Sequence, residues 1–286
     1  VTAASSLQSR AESLAAGLPN LLLRAKRVAA TVSGGLHGRR RPGSGEDFWQ
    51  YRQSQPGDPL TSIDWRQSAR SDHLYVRETE WTIARTTRIW ADPSPSMRWR
   101  SSRTIETKHE RACLLAVALG VLLEQAGERI GLLDRPGPAF SGRTAPARLA
   151  HALVQAVPVE SFPEQGAAPR SMVVLLSDFL MPPELIARQA ERWAASGLSG
   201  HMVQILDPAE EALPYQGRVR LNGLEREGDM LLAHAESLRD EYRLALESHR
   251  KALAAIARQV GWRFSTHRTD QPARATLTHL YAAMAC

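Results

Sequence analysis

Residues 82–97 read TIARTTRIWADPSPSM. β-branched and aromatic side chains run as far as Ala91, which predicts a strand, and Asp92 with Pro93 and Pro95 ends it. Outward from that strand the texture alternates. A helix is expected over 106–125, apolar at Ala112, Leu115, Leu119 and Leu122 and stopped at Gly127. A short strand over 129–133 and a helix over 145–156 follow. Residues 172–177, MVVLLS, form a continuous apolar run, the mark of a strand covered on both faces. Next come a helix over 182–196, a strand over 201–206, a polar hairpin or loop over 214–232, a long helix over 233–259, a strand over 262–266 and a helix over 274–284. This alternation predicts an α/β domain over 82–286: a doubly wound, mostly parallel sheet flanked by helices.

Ahead of it, leucines and a valine at seven-residue spacing (Leu7, Leu14, Leu21, Val28) read as a helix over 5–31, or as two pieces broken at Pro19. A Gly- and Arg-rich stretch follows, so residues 1–42 are expected to be a basic, partly helical extension. Residues 43–81 are dense in Trp, Tyr, Asp and Arg without a helical period, and are expected to pack on the main domain.

At 286 residues, with 43% hydrophobic and 23% charged residues, the chain has the composition of a folded protein, which excludes wholesale disorder. The longest charge-free apolar run, 112–123, falls short of the roughly 20 residues a spanning helix needs. Two distant cysteines, Cys113 and Cys286, exclude a disulfide framework and a cysteine zinc site, and predict a reducing, cytoplasmic setting. Of the net charge of +6, all lies in residues 1–45, which hold seven basic side chains and one acid; the remainder carries 29 of each sign. That leader could serve a nucleic-acid or membrane-surface binder, but a neutral body argues against this as the main activity. Only Lys26, Lys108 and Lys251 are lysine. No P-loop, dinucleotide fingerprint, His-Glu-x-x-His or nucleophile elbow is present.

In a doubly wound sheet, ligands sit beyond the carboxyl ends of the strands. Asp92, Ser94 and Ser96 follow the first strand, Ser141 and Thr144 lie in the loop before helix 145–156, and Asp178 ends strand 172–177. These are hard oxygen ligands suited to Mg²⁺ or Mn²⁺. The same pair of strand-end carboxylates would also suit a metal-dependent, phosphatase-like hydrolase. This pattern resembles that of haloacid-dehalogenase-type phosphatases, in which a second Asp acts as proton donor where Ser94 stands here, and a serine is a poor general acid.

The constellation resembles the metal-ion-dependent adhesion site of von Willebrand factor A-type domains, in which Asp-x-Ser-x-Ser, a Thr and a later Asp bind a divalent cation. Asp92, Ser94 and Ser96 match the first motif and Asp178 the later Asp; Thr144, with Ser141 as rival, stands for the Thr. Residues 47–80 carry Asp58 after Gly57, Ile63-Asp64-Trp65, Arg66, Ser68-Ala69-Arg70 and Glu78. This run resembles the signature of the bacterial "domain of unknown function 58" family, which places such motifs ahead of an A-type domain. The resemblance implies a non-enzymatic interaction module, an adaptor or assembly factor for a MoxR-type AAA+ ATPase. Its metal would offer an open position to an acidic side chain of the partner, and no small-molecule substrate is expected. For Asp58, Asp64, Trp65, Arg66, Arg70 and Glu78 two readings stand: a paired, partly buried Arg–carboxylate network, or a partner-binding face.

Overall fold

The computed structural model describes residues 18–33, 48–55, 63–71, 73–79, 85–135, 137–157, 162–164, 166–224 and 228–284. The chain divides into two compact units, residues 35–84 and the rest. The divisions fall at 34/35 and 84/85, so the helical part of the leader belongs with the sheet unit.

That leader helix, α1, spans 18–33 and has Pro19 in its first turn, where a missing N–H is harmless. It buries Ala25, Ala29 and Val32 at i, i+4 and i+7, and Arg24 pairs with Glu106. The seven-residue pattern N-terminal to it lies outside the described residues.

In the larger unit five strands form one wholly parallel sheet: β3 (Thr86–Ala91), β4 (Arg129–Leu132), β5 (Met172–Ser177), β6 (Ser199–Leu206) and β9 (Arg263–Arg268), in the order β4-β3-β5-β6-β9. The first strand is thus flanked by the second and the third. The winding reverses between β3 and β5, and the crevice at their carboxyl ends is the topological switch point.

Helices cover both faces. α3 (Lys108–Gln125) opens with a capping box between Thr107 and Glu110 and is buried continuously from Ala112 to Leu123. It packs on the sheet between α4 (Ala145–Val154) and α8 (Ala273–Met284). On the opposite face α5 (Pro183–Ala195) and α7 (Arg239–Gln259) pack together over Trp90, Val173, Leu175, Met202 and Trp262. Alternation along β5 sends Val173 and Leu175 to that face and Val174 and Leu176 to the other, and all four are buried.

Between β6 and α7 lie a short helix α6 (Pro208–Ala212) and an antiparallel hairpin, β7 (Val219–Asn222) with β8 (Asp229–Leu232). The long helix expected from 233 begins as a 3₁₀ turn over Ala235–Leu238. No helix of the described residues is long and apolar enough to cross a membrane.

The smaller unit holds β1 (Phe48–Gln53) paired antiparallel with β2 (Tyr75–Thr79), and a single helical turn, α2 (Trp65–Ser68), between them. Its strands gave no sequence signal, because the aromatic and charged residues there do not alternate.

Candidate functional site

Asp92 extends β3 by one residue. Its N–H donates to the Leu176 carbonyl at 2.9 Å, which sets it beside Ser177 at the end of β5. Ser177 Oγ donates to Asp92 Oδ2 at 2.5 Å and accepts from the Phe179 N–H at 2.9 Å. The prolines at 93 and 95 leave Ser94 with the one amide N–H between Asp92 and Ser96, and it donates to Asp92 Oδ1 at 2.8 Å. Both Asp92 oxygens are therefore occupied inside the protein. Burial pushes its carboxyl up to about 6, the nearby Asp178 adding to the rise and the bonds from Ser177 and Ser94 opposing it.

The chain of contacts runs on to the second carboxylate. Ser94 Oγ lies 3.1 Å from Ser96 Oγ, and Ser96 Oγ donates to Asp178 Oδ2 at 2.8 Å. The same Asp178 oxygen accepts from Lys108 Nζ at 2.8 Å, and Lys108 also donates to Glu210. Lys108 is 1% exposed. Burial works against its charge, but Asp178 and Glu210 outweigh burial and hold its pKa above the ordinary lysine value.

The two acidic partners are fixed in turn. Glu210 belongs to a capping box at the start of α6: its Oε2 accepts from the Asp207 N–H at 2.8 Å, while Asp207 accepts from Ala209 N–H. Asp207 Oδ2 reaches back to the β3 loop, accepting from the Ser101 N–H at 3.0 Å. Phe179, directly after Asp178, takes φ 53°, the left-handed region, and is fully buried. Its carbonyl accepts from His249 Nε2 at 2.8 Å. Strained backbone held by side-chain bonds on both sides is a feature that concentrates at functional sites.

Four of the expected residues, Asp92, Ser94, Ser96 and Asp178, are thus joined by hydrogen bonds at the switch point. Thr144 is not among them. It is the exposed N-cap of α4 and makes no side-chain capping bond; Ser141 is exposed as well. Lys108, Ser177 and Glu210 complete the cluster and were missed by the sequence reading. The available signals were one of only three lysines in an arginine-rich chain and the Asp-Pro-x-Glu capping pattern following β6.

A divalent ion does not fit this donor set. The oxygens are of the right hardness, but Lys108 already places a cation on Asp178, Asp92 has both oxygens accepting, and Thr144 stands outside. Among the described residues no three His, Cys, Asp or Glu side chains form a metal-holding group.

The signature segment also departs from its first reading. Asp64 is the N-cap of α2, its side chain accepting from the Gln67 N–H at 3.0 Å. Ser68 Oγ donates to the Asp64 carbonyl at 2.8 Å and accepts from the Tyr75 N–H at 2.9 Å. Trp65 is 59% exposed, and Arg66 and Arg70 are exposed too, so these three are not part of a buried ion-pair network. Asp58 lies outside the described residues, as does the side chain of Glu78 on β2.

Sequence comparison identifies the chain. The family described as "Protein of unknown function DUF58" matches residues 50–252. The chain belongs to the DUF58 family. Uncharacterized proteins of Mycobacterium bovis and Mycobacterium tuberculosis are each 29% identical to this DUF58 chain over 290 residues, covering 94% of it and 89% of their own length. A crystal structure of the conserved hypothetical protein BatB from Bacteroides thetaiotaomicron is similar at 14% identity, with a TM-score of 0.41, covering 71% of this chain and 99% of that one.

Proposed function

We propose that this DUF58 protein is a non-enzymatic interaction module of von Willebrand factor A-like architecture, acting in the cytoplasm as an adaptor or assembly factor for a MoxR-type AAA+ ATPase. The observation that carries the reading is the closed state of the switch-point cluster. Asp92, Ser94, Lys108 and Asp178 are all buried, the Asp92–Ser94 and Lys108–Asp178 pairs being joined through half-buried Ser96, so the carboxylates are engaged within the protein and not offered to a substrate. The exposed part of the same loop carries Arg98, Arg100 and Arg103 with no acid from 93 to 104, and none of the three pairs with an acid among the described residues. An acidic segment of the partner suits these arginines by charge. Outside residues 1–45 the charges balance, 29 of each sign, which at this loop favours a protein partner over an extended polyanion. In the smaller unit, exposed Trp65, Arg66 and Arg70 support the partner-binding reading of the signature. The ATPase itself comes from the family resemblance.

The test is capture of a purified MoxR-type ATPase on the immobilised chain, with Arg98→Glu/Arg103→Glu as the variant. Capture that survives chelator and falls at least tenfold in the variant supports the reading. Absence of capture, or capture abolished by chelator and indifferent to the charge reversal, overturns it.

A further inference from the structure

We propose that the Lys108 ammonium is the resident cation of the switch-point cluster, standing where a divalent ion would otherwise sit, so that the cluster is closed and metal-independent while Lys108 is present. The argument begins with residue choice. Of 36 basic side chains only three are lysine, and one of those three is the fully buried position 108. A guanidinium is a broad planar fork, whereas an ammonium is a compact point charge with three donors, the closer analogue of a small ion. The chain departs from its arginine habit at the place where a small cation is required.

Position adds a second argument. Lys108 is the first residue of α3, directly after the Thr107 N-cap. A positive charge there opposes the helix dipole, and side chains at a helix start lean back toward the N-terminus. For α3 that direction is the strand ends. Burial and the dipole both disfavour this lysine, and Asp178 from the end of β5 and Glu210 from α6 offset them. Arg250 and Arg268 bond Glu211, not Asp178 or Glu210, so Lys108 is the one cation bonded to this carboxylate pair among the described residues.

The consequence is specific. With Lys108 removed, the two carboxylates it bridges, Asp178 and Glu210, and the Ser96 hydroxyl bonded to Asp178 leave an oxygen-lined, negatively charged site of the chemistry that takes a hard divalent ion. This inference is independent of the adaptor reading, since its test contains no partner. Metal-stripped wild type and Lys108→Met are titrated with Mn²⁺ and Mg²⁺ by calorimetry, and melted with and without each ion.

Wild type is expected to show no saturable binding and an unchanged melting temperature. Lys108→Met is expected to melt about 10 °C lower, as follows from stranding buried carboxylates in a unit of this size. It should also gain saturable Mn²⁺ binding that restores part of the loss. Saturable binding to wild type that disappears in Asp92→Ala overturns the proposal, as does Lys108→Met that melts with wild type or gains no ion binding. Should Lys108→Met fail to fold, Lys108→Met/Asp178→Asn removes both charges and is expected to fold. A double variant no more stable than the single one overturns the proposal too.

Discussion

Lys108 Nζ lies 2.8 Å from Asp178 Oδ2, with the two side chains 1% and 3% exposed, although 70 residues separate them in the chain. Removing one member of a buried ion pair leaves the other uncompensated, which costs about 3–5 kcal/mol. Asp178→Ala is therefore expected to lose stability in that range in urea denaturation. Asp178→Asn should lose less, because its amide oxygen still accepts from Lys108. Glu210→Gln should lose least, since Glu210 is 18% exposed and the Lys108–Asp178 pair survives it. The opposite order would place the main partner of Lys108 on α6.

Ser177 ties the two carboxylate loops together by one hydroxyl. It donates to Asp92 and accepts from the Phe179 N–H, and all three residues are buried. Ser177→Ala leaves two buried polar groups short of a partner, at about 1–3 kcal/mol for each. It also removes a bond that stabilises the Asp92 carboxylate, so the Asp92 pKa is expected to climb above its value of about 6. Carboxyl-carbon NMR titration reads this directly, and an unchanged or lowered pKa contradicts the assignment.

Two large and opposing contributions to the pH dependence of stability come from a pair of buried histidines and from Asp92. His201 on β6 and His267 on β9 are each 3% exposed or less, and burial pushes both down to about 4. Between that value and the ordinary 6.5 the folded state binds fewer protons than the unfolded chain, so stability rises with pH. Asp92 acts in reverse. With its carboxyl raised to about 6, the folded state binds more protons than the unfolded chain between about pH 4 and 6, and this contribution falls as pH rises. His109, also lowered by burial, adds to the rise, and Glu128, Asp134 and Glu210, raised by burial, act with Asp92; the two histidines carry the largest shifts, so net stability is expected to increase from about pH 4 to 6.5. Asp92→Asn removes the opposing contribution and should steepen the increase by about 3 kcal/mol, at roughly 1.4 kcal/mol per pKa unit. Urea midpoints across the window check this; a shallower profile in Asp92→Asn would reverse the sign assigned to Asp92.

Much of the sheet was legible because its signals are local. The apolar run 172–177 became β5 residue for residue, and the parallel order followed from alternation with helices. Asp92 and Asp178 were legible for the same reason: each directly follows a readable strand. Lys108 and Glu210 were not, since 102 residues separate them and only the sheet order brings them together. Thr144 shows the converse failure. Its place in the chain order matched the resemblance, but chain order does not fix where a loop side chain points. In the smaller unit the charged residues invited a buried ion-pair reading, whereas the turn is held by a serine hydroxyl and backbone bonds, whose geometry leaves no periodic trace.

That last contrast separates two roles within the signature. Ser68 is buried and its hydroxyl joins the Asp64 carbonyl to the Tyr75 amide; Asp64 caps the turn. Ser68→Ala is expected to cost about 1–3 kcal/mol by leaving the Tyr75 N–H short of an acceptor, and Asp64→Ala about 1 kcal/mol as a lost cap. Arg70 is exposed, so Arg70→Ala should stay within about 0.5 kcal/mol of wild type. Hydrogen exchange at the Tyr75 amide distinguishes them: protection falls in Ser68→Ala and is unchanged in Arg70→Ala. If Arg70→Ala then loses ATPase capture while keeping its protection, Arg70 acts at the partner and not in the fold. An equal loss of protection in both variants would return Arg70 to a structural role.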